Sequence, residues 1–555
     1  MGVLTLSKIS KRVAGITLAS AVVISTIGIS SMKEEVQAKD KKKEPTNVIM
    51  MVMDGTSAGA TTLSRWYKGG NLAMDEMMAG GVRTYSADSA ITDSAPAATA
   101  LATGHKSNDK YIGVLPSVVN SPGLDPFNPE NAYKPVANVL EGAKLQGKAT
   151  GIISTSEIQH ATPAGFSAHV THRSNYGDIA EQQVYQGIDV VLGGGKESLS
   201  PGTTNNARKD GENLLTVLKK NKYDIVEDRN ELLTSNSDKI WGTFATSTLA
   251  YEFDRETTNP SEPTLAEMTD KAIDTLKKDK DGFFLFVEGS KIDWAAHAND
   301  TIGMISDTLA FDDAVKEALE FAKKDGNTMV IAVSDHGNSG ITMGNMNTNS
   351  IYPNTPVSTY IDPLKKASMT VEGALSQLKT DKSNLSEVAA LYGLDNLTAE
   401  ELEKLNTSKN TGVDMVKLLA ERAHIGYSTG GHTGEDVFLY SYGPSRPTGL
   451  VENTDLAKKM AQFMDFDLSK LSKKLFVNAK DALEKKGYST RLDVTDPNNP
   501  VFIAEKNNKK YEIPANKNIV ISKTGKTIKQ QETKTISVYN GKDFYVSEQT
   551  LKLVK

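Results

Sequence analysis

The sequence predicts an α/β fold: a large, mostly parallel central sheet sandwiched by helices, plus a small all-β module at the carboxyl end. Three observations carry this prediction. Short apolar runs without polar alternation recur along the chain, as expected of strands buried on both faces. Helical stretches lie between those runs, which implies strands joined by crossovers. Near Asp493 the composition shifts to short β-type runs separated by turn residues.

Residues 1–38 are set aside from the fold. Lys8, Lys11 and Arg12 precede an apolar stretch over residues 13–29, and Val36-Gln37-Ala38 offers a small-x-small cleavage signal. This is the pattern of a secretory signal peptide, so the mature protein is expected to be secreted or surface-associated. The alternative is a retained membrane anchor, for which the apolar run is marginal in length. The chain contains no cysteine. An exported protein of this composition holds together without disulfides, and any metal site must use histidine and carboxylate ligands. A lipid-modified cysteine anchor is excluded.

A catalytic domain is expected over residues 45–490. The run over residues 48–53 ends at Asp54, and the run over 151–153 leads to Ser154 and Thr155. Residues 190–192 run into three glycines, and residues 283–287 end at Glu288. Residues 329–333 end at Ser334-Asp335-His336, and the run over 437–440 follows His432. Thr264-Leu265-Ala266-Glu267 is a capping box, and Leu265, Met268, Ala272, Ile273 and Leu276 continue it at helical spacing. Ligands of such sheets bind outside the carboxyl ends of the strands, where Asp54, Glu288, Asp335 and His336 fall. A helical excursion spans about residues 365–420, with two helices over 378–405 joined near Gly393. It reads either as a subdomain covering the sheet or as a wall of the site mouth.

Thr495-Asp496-Pro497-Asn498-Asn499-Pro500 reads as a linker. Beyond it, residues 500–555 form the small module. Strands are predicted over 501–505, 510–514, 518–522, 534–539 and 543–547, with a hairpin turn at Asn540-Gly541. The module holds eleven lysines and five acidic residues, whereas the whole chain carries a net charge of −6. This basic module fits attachment to an anionic cell envelope or a solvated structural domain. The overall balance of 63 basic to 69 acidic residues argues against a nucleic-acid-binding role.

Three of the eight histidines stand in informative company. Asp293 and His297 share an i, i+4 spacing, which puts carboxylate and imidazole on one helix face. Asp335-His336-Gly337 leaves a buried strand, and Gly430-Gly431-His432-Thr433-Gly434 presents an imidazole from a glycine loop. Asp54 precedes Gly55 and completes the set. Oxygen and nitrogen ligands suit Zn²⁺, and the extra carboxylates suit Mg²⁺. The nucleophile candidate is Ser94, within Thr92-Asp93-Ser94-Ala95-Pro96. It is placed to cap a helix running from Ala95 towards Thr103, whose free amides favour a phosphate. Thr162 adds a hydroxyl, and Arg173 a guanidinium suited to bidentate phosphate recognition.

In combination these motifs resemble the alkaline phosphatase family over residues 47–444. The matching segments are Val52-Met53-Asp54-Gly55, Thr92-Asp93-Ser94-Ala95, His160-Ala161-Thr162-Pro163-Ala164, Ala168-His169-Val170-Thr171, Glu288-Gly289 with Asp293 and His297, Ser334-Asp335-His336-Gly337, and His432-Thr433-Gly434. The resemblance implies a secreted phosphomonoesterase that passes through a phosphoserine on Ser94. It implies one zinc held by Asp293, His297 and His432 and a second held by Asp54, Asp335 and His336. A third ion, usually magnesium, would use Asp54, Thr162 and Glu288. Arg173 would clamp the phosphate, oriented by Asp93. Two such ions stabilise the attacking and leaving oxygens of an in-line displacement, so no Ser-His-Asp triad is needed.

Two positions depart from the best-known bacterial pattern. His160 stands where that pattern has Asp, and Trp294 where it has Lys. His160 is therefore expected beside the third ion rather than on it, and the identity of that ion is open. The resemblance also suggests a homodimer, which the helical excursion or the basic tail could alter. Two other functions remain: a phosphodiesterase on the same scaffold, and a non-catalytic phosphate- or metal-binding surface protein.

Overall fold

A computed structural model describes residues 46–555. The signal-peptide reading of residues 1–38 lies outside them. Ten strands build the central sheet: β1 (Asn47–Met53), β2 (Met78–Arg83), β3 (Ala149–Glu157), β4 (Val190–Gly194), β5 (Asp224–Val226), β6 (Ile240–Thr243), β7 (Phe283–Gly289), β8 (Thr328–Val333), β9 (Val437–Tyr442) and β10 (Gly449–Glu452). Their spatial order is β10-β2-β9-β8-β1-β7-β3-β4-β6-β5.

Nine of these strands point one way, and β9 alone runs against its neighbours β8 and β2. The run over residues 437–440, expected among the parallel strands, is therefore the exception. Its direction has a consequence for the site. Leu439 pairs with Val333 at the carboxyl end of β8, so residues just before β9 lie at the edge where Asp335 emerges. His432 reaches that edge from the opposite chain direction.

The two sheet faces follow from strand alternation. Val48, Met50 and Val52 enter one apolar cluster, and Ile49, Met51 and Met53 the other. Helices cover both faces. The helices Leu265–Leu276 and Thr301–Asp325 pack on the second, and Val139–Leu145 and Asn453–Phe463 on the first. Each large apolar side chain fully buried there contributes about 1.5–3 kcal/mol. The Thr264 capping box forms as its sequence predicts. Three further helices position chemistry: α1 (Ser94–Thr103), α2 (Tyr176–Gln186) and α3 (Lys291–His297).

The excursion contains the helices Val371–Ser376, Leu385–Leu391, Ala399–Thr407 and Thr411–Arg422. Gly393 bends the chain with φ +85°. Val371, Ala374, Val388, Ala389 and Tyr392 join the core on the second face, which fits the covering role. The excursion is also tied down directly behind α3. Asp300 accepts from the Val371 amide at 3.0 Å and from the Tyr392 hydroxyl at 2.8 Å.

The carboxyl-terminal sheet has five antiparallel strands in sequence order: Ser489–Asp493, Val501–Lys506, Lys509–Pro514, Ile519–Thr524 and Thr527–Glu532. Residues 495–500 are not a linker. Ser489–Asp493 pairs with Val501–Lys506 across them, so this Pro- and Asn-rich stretch is a hairpin connection within the sheet. The expected strand over 534–539 shrinks to Val538–Tyr539, which pairs with Phe544–Val546 around the Asn540-Gly541 turn.

Candidate active site

The carboxyl edge of the sheet gathers the predicted residues. Asp54 follows β1, Glu288 lies near the end of β7, and Asp335 and His336 follow β8. Asp293 and His297 come from α3, one turn apart. His432 is held by a short antiparallel bridge to Asn338. Gly55 makes the turn out of β1 at φ +63°, and a Cβ there would stand 2.3 Å from Asp293 Oδ1. Only glycine lets β1 and α3 approach so closely.

Three groups of ligand-type atoms result: Asp293, His297 and His432; Asp54, Asp335 and His336; and Asp54, His160 and Glu288. In the first, His297 Nε2 lies 3.2 Å from His432 Nε2 and 3.5 Å from Asp293 Oδ2. The other ring nitrogens face carbonyls, His297 Nδ1 that of Gly430 and His432 Nδ1 that of Thr92. A carbonyl only accepts, so it fixes the proton on Nδ1 and turns the Nε2 lone pair inward. In the second group, His336 Nε2 lies 3.3 Å from Asp335 Oδ2 and 3.6 Å from Asp54 Oδ1, with Nδ1 on the Gly337 carbonyl. In the third, Thr162 Oγ1 donates to Asp54 Oδ2 at 3.3 Å.

The electrostatics ask for cations. Asp54 Oδ1, Asp335 Oδ2 and Glu288 Oε1 are buried without a hydrogen-bond partner. Burial, followed by the charges of Asp335, Asp293 and Glu288, holds the Asp54 carboxyl well above its usual range. Burial likewise pushes Glu288 up to about 7. Unpaired buried charge of this kind is costly, and divalent ions fit these oxygen and imidazole donors.

Ser94 is 2% exposed, and its Oγ lies 3.1 Å from His336 Nε2. It does not cap α1. Asp93 is the cap, with its carboxylate accepting from the Ala95 amide, and Ser94 is the first helical residue. A carboxylate outcompetes the neighbouring hydroxyl for the helix amides because it brings charge to the positive end. Asp93 also accepts twice from Arg173 Nη1, at 2.7 and 2.8 Å. Burial would raise the Asp93 carboxyl, but Arg173 more than offsets this and holds it below its usual range.

Arg173 Nη2 lies 3.0 Å from His160 Nε2. A guanidinium can only donate, so Nε2 accepts and the proton of neutral His160 sits on Nδ1. Burial first, then Arg173, push His160 down to about 3. In this arrangement neither His160 nitrogen has a lone pair free for an ion. Trp294 meets the His160 ring edge-on at 5.8 Å, and its own ring lies 4.6 Å from Lys291 Nζ.

Several residues to which the sequence assigned no role support the site. Ser154 donates to Glu288 Oε2 at 2.5 Å and lies 2.8 Å from the hydroxyls of Ser156 and Ser290. Asn338 Nδ2 donates to Asp293 Oδ1 at 2.7 Å. Buried Lys291 beneath Trp294 had no signal in its spacing. Ser290 had one, its place two residues beyond Glu288, and Ser154 had one as a predicted strand exit.

Comparison with known proteins decides what this geometry belongs to. Residues 45–466 match the family model described as alkaline phosphatase. The chain belongs to the alkaline phosphatase family. Members of this family are phosphoric monoester hydrolases, and membership implies metal cofactors. Alkaline phosphatase 3 of Bacillus subtilis is 35% identical over 83% of this chain and 99% of its own length. The repressible alkaline phosphatase of Saccharomyces cerevisiae is 31% identical over 78% of this chain and 83% of its own. Among solved structures, the cold-active alkaline phosphatase of Shewanella sp. superposes with TM-score 0.65 at 28% identity, covering 75% of this chain and 99% of that one. A mutant of the alkaline phosphatase from the Antarctic bacterium TAB5, with a histidine replaced by aspartate, carries Mg in its M3 site. It superposes with TM-score 0.53 at 26% identity, covering 77% of this chain and 99% of that one. The match to the family model ends at residue 466, before the carboxyl-terminal sheet begins at Ser489.

Proposed function

We propose that the protein is an exported phosphomonoesterase that releases inorganic phosphate from esters through a phosphoserine on Ser94 and so scavenges phosphate. The observation that carries this reading is the placement of Ser94 Oγ at the amino end of α1, within 3.1 Å of His336 Nε2, with Arg173 held by Asp93 at its side. Zn²⁺ would be held by Asp293, His297 and His432, and by Asp54, Asp335 and His336; Mg²⁺ would be held by Asp54, Thr162 and Glu288. When bound, these ions supply Lewis-acid stabilisation of the attacking and leaving oxygens.

The chain's own residues do the rest. Ser94 Oγ gives up its proton to solvent and forms the new bond to phosphorus as the bond to the ester oxygen breaks, and that oxygen takes up a proton from water and leaves as the alcohol. The free amides at the start of α1 face the phosphate. Arg173 offers a planar fork to two non-bridging oxygens, and Asp93 keeps that fork from rotating. Water then cleaves the phosphoserine and frees Ser94. A monoester presents three non-bridging oxygens, two for Arg173 and one for the ions that would be bound; a diester presents only two, so its second ester group leaves one of these partners unmet. Turnover of an aryl phosphate should exceed that of its bis-aryl diester by roughly two orders of magnitude or more. Comparable rates would favour the phosphodiesterase reading, and no turnover with metals present would favour a binding protein.

Trp294 adds a second expectation. With no cation at this position, bound phosphate is held less firmly, which speeds product release. Trp294→Lys should tighten inhibition by inorganic phosphate about 5- to 10-fold. Unchanged inhibition would count against this role. The signal-type amino terminus supports export, and the basic tail supports retention at an anionic envelope. Fractionating a culture into medium, wall and cytoplasm tests both.

A further inference from the structure

The carboxyl-terminal sheet carries no ligand-type residue of the site, yet it is bolted to the segment that carries Arg173. Three observations place it there. Asn516, which is 6% exposed, donates from Nδ2 to Asp178 Oδ1 at 3.0 Å and accepts at Oδ1 from Gln182 Nε2 at 2.9 Å. Lys517 Nζ lies 3.1 Å from Glu181 Oε1 and 3.0 Å from Glu212 Oε2. All three α2 partners, Asp178, Glu181 and Gln182, sit within the first two turns of that helix.

The second half of the connection runs from α2 to the site. Gln182 clasps the backbone of His169, accepting from its amide at 2.7 Å and donating to its carbonyl at 3.1 Å. Gln183 donates to the Ile158 carbonyl and to Ser167 Oγ, and Gln186 to the Ser167 carbonyl. Arg208, itself ion-paired to Asp210 and facing Glu181 at 3.6 Å, donates to the Gly177 carbonyl at 2.9 Å. The segment over residues 158–175 thus hangs on α2 through Ile158, Ser167 and His169 and runs directly into that helix at Tyr176. It contains His160, Thr162 and Arg173.

Taking this together with the reading of Arg173 as a phosphate clamp, on which it rests, we infer that the carboxyl-terminal module is a brace for that clamp. Asn516 and Lys517 are its positioning residues: they fix α2, and α2 fixes the Arg173 segment against α1. A side-chain fork must be held within a fraction of an ångström to bind phosphate bidentately. A buried set of hydrogen-bonded and ion-paired side chains is a means of holding it.

The test uses the full-length, metal-loaded enzyme with an aryl phosphate as substrate and inorganic phosphate as probe. Asn516 has φ +62°, so Asn516→Gly removes the side chain without straining the backbone. It should raise KM and the phosphate inhibition constant together by about 3- to 10-fold, with kcat changing less. Lys517→Met should do the same and Lys517→Arg should restore the wild-type constants. In an Arg173→Ala background neither substitution should weaken phosphate further, because the group they position is gone. The same loss in that background, or unchanged constants in folded Asn516→Gly enzyme, overturns the brace alone. If Arg173→Ala itself leaves phosphate inhibition unchanged, the clamp reading falls and the brace falls with it. Should Lys517→Met fail to fold, Asn516→Gly decides.

Discussion

Replacing Ser94 by alanine is expected to lower turnover of an aryl phosphate by on the order of 10³-fold or more, with little change in stability. The two halves of this expectation come from different atoms. Activity is lost because Oγ is the only group on α1 placed to bond to phosphorus. Stability is kept because the helix does not depend on that oxygen. Losing a true N-cap costs about 1 kcal/mol, but the cap of α1 is Asp93, and alanine is the best helix former at the position that follows. Ser94→Ala is therefore a clean probe of chemistry, read as rate with melting temperature as the control. Retained activity would remove Ser94 from the mechanism. A matching fall in melting temperature would restore the capping role that its sequence context suggests.

The second large effect is metal removal. Chelation should reduce turnover to background and destabilise the fold in a pH-dependent way. Without ions, Glu288 titrates near 7, above its ordinary 4.5, because burial penalises the charged form. A raised carboxyl pKa means the folded state holds its proton longer than the unfolded chain. Stability of the metal-free protein is thus highest below the unfolded value and falls as pH rises through the folded one, by about 3 kcal/mol for this group. Asp54 shifts in the same direction and adds to the fall. The gap in melting temperature between metal-loaded and metal-free protein should widen from about pH 5 to about pH 8. A gap constant across that range would mean that the buried carboxylates are satisfied by something other than cations.

Much of the site could be read from the sequence because each ligand-type residue interrupts an apolar strand at its end. Asp54, Glu288, Asp335 and His336 announce themselves in this way, and the i, i+4 spacing of Asp293 and His297 does so on a helix. What could not be read depends on partners distant in the chain. Nothing near residues 437–440 reveals that this strand runs backwards, since direction is set by which neighbour it pairs with. The strand Thr527–Glu532 lies at a sheet edge, almost wholly exposed, so it has no buried face to impose alternation. Proline and asparagine over residues 495–500 mark a turn equally well in a linker and in a hairpin. The cap of α1 was misread because Asp93 and Ser94 are both good caps, and only the geometry separates them. The contact of Asn516 with Gln182 joins residues 334 positions apart, and neither residue type advertises it.

The place of β1 has a consequence for how the chain matures. It is the first strand of the sheet to be synthesised, yet it lies between β7 and β8, which are made more than two hundred residues later. No early product of synthesis can close the middle of the sheet, so the chain must remain open until β8 is complete. Topologies dominated by such distant pairings fold slowly. In a chain exported as proposed, this delay would be an advantage: the architecture itself postpones closure of the sheet until three fifths of the chain, 333 of 555 residues, has been made.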